Sequence, residues 1–309
     1  MIYPQHTNLR RGPVGRLGFD SGKIIAMKKI ILSLTLIYCV FSIASAQIDK
    51  NKKQTILDLP YGTHPYQKMD VYLPANHNKN TRSLFYIHGG GWYAGDKNEA
   101  EHWYKYFQKS GYAVVCINYR LAHTSENNIY PSQIIDIDSA INFALNKSAE
   151  WNISKTKTII MGASAGAQLA LLYAYKFNQN KKIKAAISFC GALDLTDPKF
   201  INADMDKETK LGTILTWYLG DTITNKRRLW KDASPINHIS KSSVATFFLH
   251  GKSDEKIPYQ QSVRAYNALK SFAINSQLVL LENTHHDLLS LNLTDQLKKV
   301  NKFIRVNVL

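Results

Sequence analysis

Cysteine is scarce in this chain: Cys39, Cys116 and Cys190 are all that its 309 residues hold. Cys116 and Cys190 sit inside apolar runs, so buried free thiols are the expectation and no disulfide framework is. Acidic residues are also few, 23 against 39 Lys and Arg, a formal net charge of +16. Over 47–309 the balance is 33 basic to 22 acidic, or +11. That excess is scattered (Lys50, Lys181, Arg227 and Lys298 belong to it), without aromatic interleaving or a nucleic-acid motif. It predicts a solvated basic surface and no nucleic-acid partner. No cluster of His, Cys and carboxylates stands at metal-ligand spacing, so neither a metal nor a cofactor is expected. Internal repeats and low-complexity tracts are missing too. What remains is ordinary globular composition, 45% hydrophobic and 20% charged, enough for one large α/β domain.

The mostly apolar run 30–43 is too short to span a bilayer comfortably. It follows Met27-Lys28-Lys29 and ends in Ala44-Ser45-Ala46, the three parts of a secretory signal peptide. The reading is that Met27 is the true start, residues 1–26 are an upstream extension, and 27–46 is the signal. The mature chain, 47–309, begins near Gln47 and is exported to the periplasm or beyond, with no stable membrane anchor after cleavage. Tyr38, directly before Cys39, is too bulky for a lipoprotein cleavage site.

Beyond residue 54, strand-like and helix-like patterns alternate. Two opening strands in 55–74 turn around Gly62. Continuous apolar runs at 84–87, 112–118, 158–161, 183–190, 244–249 and 277–281 read as strands covered on both faces. Between them, 99–110, 133–146, 165–175, 258–271 and 295–306 carry helical apolar spacing. The alternation predicts a mostly parallel central sheet flanked by helices. Only 195–232 loosens, with helical pieces and three large aromatics, and it predicts a small helical lid or pocket wall.

The chemistry gathers at Gly162-Ala163-Ser164-Ala165-Gly166, which joins a strand to a helix. A serine at such a turn is held in a strained conformation with its hydroxyl above the sheet, and the flanking glycines allow close packing. A serine hydroxyl needs a base, and the base an orienting acid. The strand at 244–249 is followed by His250-Gly251-Lys252-Ser253-Asp254-Glu255, and that at 277–281 by Glu282-Asn283-Thr284-His285-His286. Serine, acid and histidine thus come in the order such a site requires, each after its strand. Asp254 is preferred to Glu255 by its place in the loop. His286 is preferred to His285 because Leu288, two residues on, can anchor it. The strand at 84–87 runs into His88-Gly89-Gly90-Gly91-Trp92, so the N–H groups of Gly89, Gly90 and Ala165 are the expected donors to an oxyanion. Trp92, Tyr93, Trp217 and Tyr218 are candidates to line a substrate pocket, with core packing equally open for each.

HGGGW at 88–92, NYRLA at 118–122, GASAG at 162–166, HGKSD at 250–254 and HH at 285–286 resemble the hormone-sensitive-lipase-like carboxylesterase branch of the α/β-hydrolases. Tyr130-Pro131, Asp136 and Ala233-Ser234-Pro235 match as well, and the likeness runs over about 55–306. It is nearest the compact esterases of that branch, which include feruloyl and acetyl-xylan esterases. Asn118 departs from the family's usual Asp, and Ala122-His123 from its Ala-Pro. The segment before residue 55 is too short for the large helical cap of lipase-like members. The resemblance implies an α/β-hydrolase fold and a serine carboxylesterase acting through Ser164, His286 and Asp254. The implied substrates are short-chain esters of small molecules or carbohydrates, among them acyl groups on polysaccharides. An amide hydrolase of the same fold, an arylformamidase or small peptidase, is the alternative.

Overall fold

An apolar strand hidden on both faces needs a layer of helices on each side. The computed structural model supplies both layers. It describes residues 49–122, 127–288, 291 and 293–309, all within the unit Ile48–Leu309. The expected 1–26 extension and 27–46 signal, with Cys39 and His123, lie outside the described residues.

The chain opens with β1 (Gln54–Pro60) antiparallel to β2 (Lys68–Leu73). Then come β3 (Ser83–Ile87), α1 (Glu101–Lys109), β4 (Ala113–Ile117), α2 (Ser132–Asn146), β5 (Thr158–Ala163) and α3 (Ala165–Leu172). After β6 (Ala185–Phe189) the expected insertion appears as α4 (Pro198–Ile201), α5 (Leu211–Leu219) and α6 (Ile223–Asp232). The chain closes with β7 (Ala245–Gly251), α7 (Gln260–Ser271), β8 (Ser276–Leu281) and α8 (Thr294–Asn307). One eight-stranded sheet has the order β1-β2-β4-β3-β5-β6-β7-β8. β2 pairs antiparallel with β1 and β4, and every other pairing is parallel.

Successive strand residues face opposite ways, and here each way leads into a core. Phe85, Ile87, Val115 and Ile160 pack with Ile137 and Ile141 of α2, Leu169 of α3 and Leu269 of α7. Leu84, Tyr86, Val114 and Met161 pack with Trp103 and Phe107 of α1 and Phe303 and Ile304 of α8. Each large apolar side chain so buried contributes about 1.5–3 kcal/mol. Cys116 and Cys190 are buried free thiols. No helix among the described residues is long and apolar enough to cross a membrane.

The apolar run beginning at Ile183 becomes strand only at Ala185. The Asn178 side chain accepts from the Ile183 N–H and donates to its carbonyl, both at 2.9 Å, so this residue's backbone groups have a local partner before the ladder begins. What positions the site is the parallel run β3, β5, β6, β7, β8. Their carboxyl ends lie along one edge, so the segments carrying Gly89, Ser164, Cys190, Asp254 and His286 all emerge there.

Candidate active site

Ser164 sits alone between the last residue of β5 and the first of α3, with φ 53° and ψ −122°. Its N–H donates to Phe189 O at 2.8 Å, which holds this left-handed conformation against the neighbouring strand. The close approach explains both flanking glycines. A Cβ on Gly166 would lie 2.2 Å from the carbonyl oxygens of Ile87 and His88, and one on Gly162 would lie 2.3 Å from Gly166 O.

Ser164 Oγ lies 2.9 Å from His286 Nε2, and His286 Nδ1 lies 2.8 Å from Asp254 Oδ2. Asp254 is tied down in turn, its Oδ1 accepting the N–H groups of Lys256 at 3.0 Å and Ile257 at 2.8 Å. Burial alone would raise the Asp254 pKa. Hydrogen bonds from His250 and His286 outweigh it and hold the carboxyl well below the usual carboxylate range. An ionised carboxylate only accepts, so His286 carries its proton on Nδ1 and offers the bare Nε2 to the serine hydroxyl. The competing pair, His285 and Glu255, is also joined, Nδ1 to Oε2 at 3.1 Å, but out on the surface with side chains 73% and 56% exposed.

A cavity of about 240 Å³ opens beside this relay and is bordered by Ser164, His286, Gly89, Gly90 and Ala165. The glycine loop has a fixed orientation. Tyr119 Oη donates to the carbonyls of His88 and Gly89 at 3.2 and 3.3 Å. His88 stacks on the Tyr119 ring at 4.3 Å, and its Nδ1 lies 2.9 Å from Gly89 O. Burial lowers the His88 pKa to about 4, so the ring is neutral at neutral pH. In a trans peptide the N–H points opposite the preceding carbonyl, so the N–H groups of Gly89 and Gly90 turn away from Tyr119. Ala165 adds an N–H from the first turn of α3, where no intrahelical acceptor exists.

The four aromatic candidates divide: Trp92 lines the cavity, and Tyr93, Trp217 and Tyr218 do not. Trp92 borders the cavity, stacked at 4.7 Å on Tyr218. Tyr218 does not border it. Its side chain is fully buried and serves as the floor under Trp92. Tyr93 and Trp217 meet edge to face at 5.7 Å and do not line the cavity. The insertion provides wall through other residues, Phe200, Met205 and Leu211, and Trp103, Ile257 and Leu288 complete the apolar lining. Composition pointed to aromatics of 217–218, but Leu211 and Tyr218 share one face of α5 two turns apart, about 10 Å along its axis, and it is the N-terminal end with Leu211 that borders the cavity while Tyr218 packs against Trp92.

The sequence profile of the family described as BD-FAE matches residues 69–269, from β2 to the end of α7. The chain belongs to the BD-FAE family. It is a hormone-sensitive-lipase-like α/β-hydrolase. Among relatives, the probable carboxylic ester hydrolase LipM of Mycobacterium tuberculosis is 30% identical over 190 residues, 58% of this chain and 42% of LipM. The chain therefore spans less than half of that relative's length. Kynurenine formamidase of Danio rerio is 24% identical over 243 residues, 75% of each chain. A solved structure, a truncated form of a carbohydrate esterase from gut microbiota, superposes with a TM-score of 0.70. Identity to it is 19%, over 84% of this chain and 98% of that one.

Gln168, which sequence patterns did not single out, and several motif residues that carried no assigned role hold this BD-FAE site in place. Gln168 of α3, fully buried, accepts from Trp92 Nε1 at 2.8 Å and donates to Ala233 O at 2.7 Å, joining the glycine loop to the end of the insertion. Arg120 grips buried Asp136 through Nε and Nη2, at 2.9 and 2.7 Å. His250, present in the HGKSD signature without a role, lies 3.0 Å from Asp254. The departure at Asn118 also acquires a reason. Its Oδ1 accepts the Lys97 N–H at 2.6 Å, and its Nδ2 donates to Asp96 Oδ2 at 2.7 Å. One amide thus fills a donor's and an acceptor's place at once. Burial works to raise the Asp96 pKa, but the Asn118 and Asn98 donors bring it below its ordinary value.

Asn118→Asp, the change to the family's usual residue, is therefore expected to destabilise this chain by about 2 kcal/mol at pH 7. Two carboxylates would face each other, and the folded state would raise the pKa of one. The cost is present above that raised pKa and disappears below the ordinary carboxylate range, where the group is protonated folded or unfolded. Urea unfolding at pH 7 and pH 4 reads this directly. An equal loss at both pH values, or none, contradicts it.

Proposed function

We propose that this protein is an exported serine carboxylesterase that hydrolyses short-chain carboxylic esters, acyl groups on polysaccharides among them. The observation that carries the reading is the Ser164–His286–Asp254 chain, 2.9 and 2.8 Å, opening into a cavity bordered by Gly89, Gly90 and Ala165. His286 Nε2 takes the hydroxyl proton as Ser164 Oγ attacks the ester carbonyl, and Asp254 stabilises the imidazolium that forms. Three N–H groups receive the oxyanion. The alcohol leaves with the proton from His286, and water then repeats the sequence on the acyl-enzyme.

The acyl length follows from space. About 240 Å³, lined in part by Phe200, Met205 and Leu211, falls below the usual range for drug-sized ligands. A p-nitrophenyl ester series should show kcat/KM for butyrate exceeding that for palmitate by at least about 100-fold. Equal turnover of palmitate would remove the short-chain part of the reading, and no turnover of any ester would remove the whole. Polysaccharide acyl groups rest on the family resemblance, and acetylated or feruloylated sugars are the substrates to assay. Export rests on the 27–46 pattern, and a mature N-terminus near Gln47 in the exported fraction is the expected result.

The similarity to kynurenine formamidase supports the amide reading as second choice. If an aryl formamide is cleaved with higher kcat/KM than any ester, that reading takes precedence.

A further inference from the structure

Asp254 receives hydrogen bonds from two histidines. Besides His286 Nδ1, His250 Nε2 lies 3.0 Å from the same Oδ2 and 3.0 Å from Ile257 O. Both partners accept, so His250 carries a proton on Nε2. Its Nδ1 lies 2.8 Å from Ser262 Oγ in the first turn of α7, and in a neutral ring this nitrogen accepts from the hydroxyl. His250 is 0% exposed and Ser262 1%. With the N–H groups of Lys256 and Ile257 on Oδ1, four donors converge on one carboxylate, filling its lone-pair sites.

We propose that His250 and Ser262 are positioning residues: they share Asp254 with His286 and so set the pH at which His286 gains its proton. The Ser262 hydroxyl polarises the His250 ring and strengthens its Nε2–H as a donor. That donor draws charge from Oδ2, leaving less to stabilise a His286 imidazolium. His286 then stays an unprotonated base to lower pH than the two-residue contact alone would allow. Among the described residues, the side-chain hydrogen bonds of His250 go to Asp254, Ile257 O and Ser262. The Asp254 turn carries Glu255, which is paired outward with His285, and Lys256, which borders the cavity. The loop after β8 carries Asp287, and the segment after β6 carries Cys190, whose thiol burial keeps protonated. Cys190 Sγ, a carboxylate oxygen of Asp254 and a ring nitrogen of His286 lie within 4.8 Å of one another.

The kinetic form of this inference rests on the esterase reading, so the primary measurement does not. NMR titration of the His286 imidazole is compared in the wild type, His250→Phe, His250→Gln and Ser262→Ala, each checked for folding by thermal melt. His250→Phe removes the donor, and the His286 midpoint should rise by about 0.5–1 unit. Ser262→Ala should raise it by less. The amide of His250→Gln can occupy the place of Nε2, so its midpoint should lie at or near the wild-type value. The acid limb of kcat/KM should move in parallel. A midpoint unmoved in Ser262→Ala and His250→Phe overturns the proposal even if kcat falls, because loss of packing alone slows turnover without shifting that titration. Should His250→Phe fail to fold, Ser262→Ala decides: a raised midpoint supports the proposal, an unmoved one overturns it. Protein that titrates as expected but cleaves no ester sinks the esterase reading alone.

Discussion

Ser164→Ala is expected to lower kcat for p-nitrophenyl butyrate by about 10⁶-fold while leaving the fold intact. The substitution removes the one oxygen placed 2.9 Å from His286 Nε2 and nothing that the sheet depends on. Alanine keeps the Cβ, so the φ of 53° costs the same as before, and the Ser164 N–H still reaches Phe189 O. The glycine loop and the N-terminus of α3 survive as well, so a residual rate above the uncatalysed one is expected from oxyanion binding alone. Burst kinetics sharpen the test: the wild type should release p-nitrophenol as the acyl-enzyme forms, and the variant should show no burst. A variant that keeps even a tenth of wild-type turnover would mean that another group attacks the ester.

His286→Ala should cost nearly as much, about 10⁵–10⁶-fold in kcat, whereas His285→Ala should stay within about twofold of wild type. The two histidines are adjacent, and the backbone decides between them. Ser253 N–H donates to Thr284 O at 3.0 Å, Lys252 N–H to Leu281 O at 2.9 Å, and Leu288 N–H to His286 O at 2.9 Å. Gly251 lets this loop lie close, since a Cβ there would meet Thr284 O at 2.2 Å and His285 O at 2.8 Å. Pinned on both sides, the loop turns residue 286 inward, 15% exposed in its side chain, and residue 285 outward to Glu255. His285→Ala removes only a surface ion pair, worth little in water. Loss of activity in His285→Ala with retention in His286→Ala would reverse the assignment of the base.

Both predictions concern residues that were legible before any coordinates, and the reason is local. The turn around Ser164 needs glycine on both sides because main chain passes within contact distance there, and such a demand is written into five consecutive letters. Leu288 pointed to His286 because an apolar residue that must be buried, here 2% exposed, constrains the chain two positions before it. The pocket wall was less readable. Trp92, Tyr93, Trp217 and Tyr218 are alike in composition, yet one borders the cavity, one lies fully buried beneath it and two pair elsewhere. Ile183 looked like strand because its side chain is buried, although the Asn178 side chain meets its backbone groups.

By itself the sequence determined the alternation of strand and helix, the strained serine and the order in which serine, carboxylate and histidine follow their strands. These depend on neighbours within a few residues, where backbone sterics and apolar periodicity act directly. The sheet order β1-β2-β4-β3-β5-β6-β7-β8, the Tyr119 clamp on the glycine loop and the approach of His250 to Asp254 from behind were decided only by the tertiary structure. Closing a loop costs free energy that grows only slowly with its length, so chain separation says little about which distant segments meet. Packing of whole elements settles that, and with it which of several chemically similar side chains reaches the reacting atoms.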